Sequence, residues 1–114
     1  MVDFLAEALP REKEGIQAFV QRVQGKFGSR AVGFRLFGSK VRNEAWEESD
    51  TDILVLVTGA HWREKNWIID LSTDINLEYD LMLSPLVMTP EEFEKLLKRE
   101  RRIACDIEKE GIPL

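Results

Sequence analysis

Two hydrophobic periods run along this chain. Ile16, Phe19, Val20, Val23 and Phe27 recur at helical spacing and predict one apolar face on a helix from Pro10 to Phe27. Pro10 suits its first turn and Gly28 its stop, whereas Gly15 inside it costs ~1 kcal/mol relative to alanine. From Arg30 to Phe37 the period shortens to two, with Val32, Phe34 and Leu36 on one face of a strand. Gly38-Ser39 breaks that strand, a short helix is predicted over Lys40–Glu44, and a loop over Ala45–Ser49. Asp52 to Val57 is apolar on both faces, the mark of a central strand. A helix is expected over Trp62–Asn76, carried by Trp67, Ile68, Leu71 and Ile75. A third strand is expected over Leu77–Val87, with Pro85 placing its far end at an edge or bulge. Thr89-Pro90-Glu91-Glu92 is a capping box that opens a last helix, striped by Phe93, Leu96, Leu97, Ile103, Ala104 and Ile107 and stopped by Gly111 and Pro113. This order predicts a small α/β (α+β) fold, a short mixed sheet packed by helices, forming one domain over residues 1–114.

Composition narrows the partners. The 114 residues are 44% hydrophobic, enough for a core, and the longest aliphatic run, Ile53 to Val57, is far too short to cross a membrane. Sixteen Lys and Arg against 21 Asp and Glu leave a net charge of −5, which argues against a bulk grip on nucleic acid through its phosphates. Acids at Asp3 and Glu7 stand where a signal peptide carries bases, and the single cysteine, Cys105, excludes an internal disulfide and a cysteine-rich zinc site. A cytoplasmic location is expected.

The chemistry gathers between Leu36 and Val57. A glycine between a strand and a helix lets a ligand approach the backbone, and the N–H groups of the following turn attract anions, with the Ser39 hydroxyl as a further donor. Taken alone the signal is weak, and ordinary turn chemistry is the better account of Gly38-Ser39. Asp50 and Asp52 are two apart at the mouth of a strand, so their carboxylates share a face and repel unless a cation joins them. Hard oxygen ligands of this kind suit Mg²⁺, while the plain alternative is a polar turn. Asp80 lies in the third predicted strand, with Glu78 on the same face as a rival and an exposed edge acid as the plain alternative. If Asp80 joins the pair, three carboxylates can hold two metal ions about 4 Å apart for in-line phosphoryl displacement.

Gly38-Ser39, ten intervening residues and then Asp50-Thr51-Asp52 resemble the DNA polymerase β-like nucleotidyltransferases. The chain looks most like their smallest members, the minimal nucleotidyltransferases often paired with a HEPN-domain protein. The resemblance implies the polymerase β-like fold and transfer of a nucleoside monophosphate from ATP or another NTP to a hydroxyl. It implies that Gly38 and Ser39 bind the triphosphate, that Asp50 and Asp52 coordinate Mg²⁺, and that Asp80 completes the metal site and serves the acceptor hydroxyl. An arginine follows the turn in that family, and Arg42 is the match, although Val41 and Asn43 replace its usual alanine and glycine neighbours. The resemblance further implies a HEPN-type toxin partner modified on a tyrosine, in a hetero-complex or beside a homo-oligomer. The alternative is a non-catalytic antitoxin that neutralises its partner by contact and keeps a vestigial nucleotide site.

Other residues take plainer readings. Lys98, Arg99, Arg101 and Arg102 form a basic run whose i,i+4 pairing with nearby acids explains it, a partner or acceptor surface being the sharper reading. Trp67 is expected in the core, Trp46 is the tryptophan placed to stack on a base, His61 marks a loop or helix start, and Cys105 packs.

Overall fold

The computed structural model describes residues 10–38 and 50–114. Helix α1 (Pro10–Phe27) leads through a 3₁₀ turn (Gly28–Arg30) into β1 (Ala31–Phe37). Then follow β2 (Thr51–Val57), α2 (Trp62–Tyr79), β3 (Leu83–Met88), α3 (Pro90–Lys98), α4 (Arg102–Glu110) and a two-residue strand β4 (Ile112–Pro113). The sheet order is β3-β2-β1-β4. β1 runs antiparallel to β2 and β4, whereas β3 runs parallel to β2, so the sheet is mixed and β2 is interior, as its two apolar faces required. Ser39, Arg42, Trp46 and the short helix and loop expected over 40–49 lie outside the described residues.

Alternation along β2 divides the core. Ile53, Val55 and Val57 meet Ile16, Phe19 and Val23 of α1 and Ile68, Leu71 and Ile75 of α2 on one face. Leu54 meets Phe93 of α3 and Ala104 and Ile107 of α4 on the other. Trp67 is half-buried, its ring standing edge-on to Phe27 with centroids 5.7 Å apart. Gly15 sits inside α1 because a Cβ there would collide with the Leu81 side chain, so close packing explains the glycine.

Three expectations are corrected, and two of them share a cause. α2 continues three residues past Asn76 and closes on Asp80, which adopts the left-handed conformation (φ 55°, ψ 55°). The Leu81 N–H then reaches the Asn76 carbonyl at 3.1 Å, the six-to-one bond of a Schellman stop. Consequently Glu78 and Asp80 are not strand residues, and β3 starts only at Leu83. The predicted last helix is two helices, because Glu100 is also left-handed (φ 53°) and the Arg101 N–H bonds the Leu96 carbonyl at 3.0 Å. Helix stops on Asp and Glu carry no glycine signal. The third correction is β4, two residues long and too short for any periodicity to reveal. The start of α3 agrees with its sequence: Thr89 Oγ1 accepts from the Glu92 N–H at 3.1 Å, and Glu92 Oε1 accepts from the Thr89 N–H at 2.9 Å.

Candidate active site

Asp52 belongs to the same face of β2 as Leu54, the face that α3 and α4 cover. Its neighbours across the ladder are Phe37 of β1 and Ser84 of β3. β3 is anchored where it meets this end of β2. Asn76 clamps Leu83 through both amide atoms, accepting from its N–H at 2.8 Å and donating to its carbonyl at 3.1 Å. The Thr51 N–H donates to the Met82 carbonyl at 2.8 Å. Three consecutive elements therefore fix the backbone that carries Asp52.

Gly38 ends β1 with φ 89°, a conformation that disfavours a side chain. A Cβ at this position would collide with Asp52 Oδ2, so glycine is required both by its dihedral and by the carboxylate lying against it. Sequence spacing alone linked these residues, and the structure brings them together. Asp52 is half-buried and Asp50 exposed. Burial first, and then the charge of Asp50, push the Asp52 carboxyl above the usual carboxylate range. A carboxylate fixed on β2 with a second one just before the strand is a donor set that fits Mg²⁺.

Asp80 does not join the pair. Its place is the exposed left-handed cap of α2, three residues before β3 begins. Among the described residues no three Asp, Glu, His or Cys side chains converge closely enough to hold a metal ion. The arrangement of two ions on three carboxylates thus loses its third protein ligand. Asp80 serves the backbone here, since aspartate tolerates the left-handed region better than most residues.

Two residues of the basic run make i,i+4 pairs: Lys98 with Glu94 at 3.3 Å and Arg102 with Asp106 at 3.7 Å. His61 is the N-cap of α2, its N–H donating to Glu64 Oε1 at 3.3 Å. Cys105 is half-buried on α4. Sequence reasoning overlooked a cleft lined by Phe37, Gly38, Arg102, Ile103, Asp106 and Glu110, which opens beside the glycine. Ile103, expected in the apolar stripe of the last helix, is instead 46% exposed, since the buried positions of α4 are Ala104 and Ile107.

A mixed sheet sets the Gly38 bend against Asp52 of β2, with Asp50 just before the strand, and the chain belongs to the polymerase beta nucleotidyltransferase family, whose model matches residues 27–114. Within it the chain is a minimal nucleotidyltransferase. Its relatives include three proteins of Methanocaldococcus jannaschii provisionally named protein adenylyltransferases. One is 33% identical over 84 residues, covering 74% of this chain and 80% of the relative. A second is 42% identical over 53 residues, covering 46% and 54% of the two chains. The third is 28% identical over 95 residues, covering 81% and 63%. Among solved structures, a toxin–antitoxin crystal structure with AMP-PNP contains a chain of similar fold, with TM-score 0.56 and 16% identity over 85% of this chain and 70% of that one.

Proposed function

We propose that residues 1–114 act as one unit that transfers AMP from ATP to a hydroxyl group of a partner protein. The observation that carries this reading is the Asp52 carboxylate seated against Gly38, on the same strand end as Asp50. Asp50 and Asp52 would hold Mg²⁺, with triphosphate oxygens completing the ligand set where Asp80 does not. When bound, Mg²⁺ would supply positive charge that stabilises the negative charge developing at the reacting phosphoryl group. The bend at Gly38 leaves its backbone open to the β and γ phosphates, and Ser39 and Arg42 are assigned to the same phosphates by the family pattern. The acceptor oxygen bonds the α-phosphorus and gives up its proton to water, while the bond to pyrophosphate breaks and pyrophosphate leaves with that electron pair. The relatives' names support a protein acceptor; the family resemblance supports a tyrosine on a HEPN-type toxin, with this chain as the cytoplasmic antitoxin.

Purified chain, co-expressed partner, Mg²⁺ and α-labelled ATP test the reading. Label should pass to the partner, and the Asp50→Ala, Asp52→Ala double variant should leave it unlabelled. An unlabelled partner with wild-type chain would overturn it. The displaced Asp80 favours one second reading, neutralisation by contact with a vestigial nucleotide site. A double variant that still protects cells from the partner would decide for it.

A further inference from the structure

α2 carries apolar side chains on two faces. Ile68, Leu71 and Ile75 are buried against the sheet. On the opposite face stand Trp62, Ile69 and Leu77, seven and eight residues apart and so in one line along the helix. They are 67%, 45% and 82% exposed, and Leu77 is the most exposed large apolar side chain among the described residues. Single exposed apolar residues are ordinary, but three in line over about 22 Å of helix mark a contact surface. The charges beside this line are sorted by sign. Arg63 stands at the N-terminal end, its guanidinium 5.2 Å from the centre of the Trp62 ring. Asp70 and Asp74 stand toward the C-terminal end, and among the described residues neither has an ion-pair partner. The line is therefore complementary to its own reverse. Two copies laid antiparallel bring Trp62 of one over Leu77 of the other, Ile69 over Ile69, and Arg63 within reach of Asp74 at both ends. A parallel pairing would set Asp74 on Asp74 and align the helix dipoles, both unfavourable. The line lies on the α1–α2 side of the sheet, whereas Asp52 shares the face under α3 and α4, so the pairing leaves the aspartates open.

We propose that this face of α2 is an isologous interface through which two copies of the chain pair antiparallel. Asp70 comes close to its counterpart at the two-fold axis, and that repulsion keeps the pairing weak. A line this short makes a small interface, so half-dimerisation is expected at about 10–100 μM. Sedimentation velocity over a concentration series tests it, with far-UV circular dichroism confirming that each variant keeps the wild-type fold. The weight-average mass of the wild-type chain should climb from 13.2 kDa toward twice that value. Leu77→Glu changes a side chain that touches no core and should raise the dissociation constant about a hundredfold. Arg63→Asp and Asp74→Arg should each weaken the dimer about tenfold, and the two together should restore it to within about threefold of wild type. Asp70→Asn, one helical turn from Asp74, should have the opposite sign and tighten the dimer about threefold. A wild-type chain that stays at 13.2 kDa at about 500 μM, well above the expected midpoint, overturns the proposal. A mass that climbs past twice the monomer marks an open head-to-tail contact and also overturns it. So does a dimer indifferent to Leu77→Glu, or a charge-swapped double variant that pairs no better than the single variants.

Discussion

The two faces of the sheet are built for different work. The face under α1 and α2 holds a continuous cluster of aliphatic and aromatic side chains, with Phe19, Val23, Leu36, Ile53, Val55, Val57, Ile68 and Ile75 fully buried. The face under α3 and α4 buries a smaller set around Leu54, Phe93, Ala104 and Ile107, and at its end leaves Asp52 half-buried beside Gly38. The first face stabilises through apolar area; the second keeps a carboxylate where burial raises its proton affinity and where a charged ligand could reach it. Stability and chemistry are therefore separable by substitution.

Asp52→Asn should give the largest separation. Removing a ligand worth several kcal/mol of charge stabilisation predicts a loss of about 10³-fold in partner labelling. The same variant should raise the melting temperature of the metal-free protein at neutral pH. A carboxyl whose folded pKa is raised favours the folded state as pH falls through the window between its folded and unfolded values, and opposes it above that window. An amide lacks that charge.

Phe19→Ala on the opposite face should do the reverse. Its side chain is fully buried, so urea denaturation should show a loss of about 3–5 kcal/mol. Labelling per folded molecule should stay at the wild-type rate. Gly38→Ala joins the faces' logic at one residue: the added methyl must displace the Asp52 carboxylate, and a shift of ~1 Å at a reacting centre costs about 10²-fold in rate. A Gly38→Ala chain of wild-type activity would break the comparison.

The reading of the fold succeeded where periodicity is the physical cause. The faces of α1, the interior position of β2 and the Thr89 capping box all follow from side chains that must be buried or paired. It failed at Asp80 and Glu100, where tertiary packing imposes left-handed stops on residues that usually signal nothing of the kind. A strand's period of two places Asp52 on the Leu54 face of β2, whereas Asp50 stands one residue before the strand begins at Thr51. The third carboxylate was not legible, because Tyr79-Asp80 reads as strand-like while the α2 hydrogen bonds continue through it.

A smaller effect concerns the rim of the large core. Glu64 accepts from both Arg30 nitrogens at 2.7 and 2.8 Å, and the guanidinium lowers its carboxyl from 4.5 to about 2. Its contribution to stability is present above pH 4.5 and lost as pH falls toward 2, so Glu64→Gln should flatten that part of an acid-denaturation profile. Asp80→Asn should have the smallest effect of all. Asparagine tolerates the left-handed cap, and labelling should remain within a few-fold of wild type.

Mn²⁺ binding, followed by electron paramagnetic resonance in the presence of AMP-PNP, puts the question to the carboxylates directly. The wild-type chain and Asp80→Asn should bind the ion alike, while Asp52→Asn should fail to bind it. Equal binding by Asp52→Asn, or its loss in Asp80→Asn, would contradict the assignment of the metal to the strand pair.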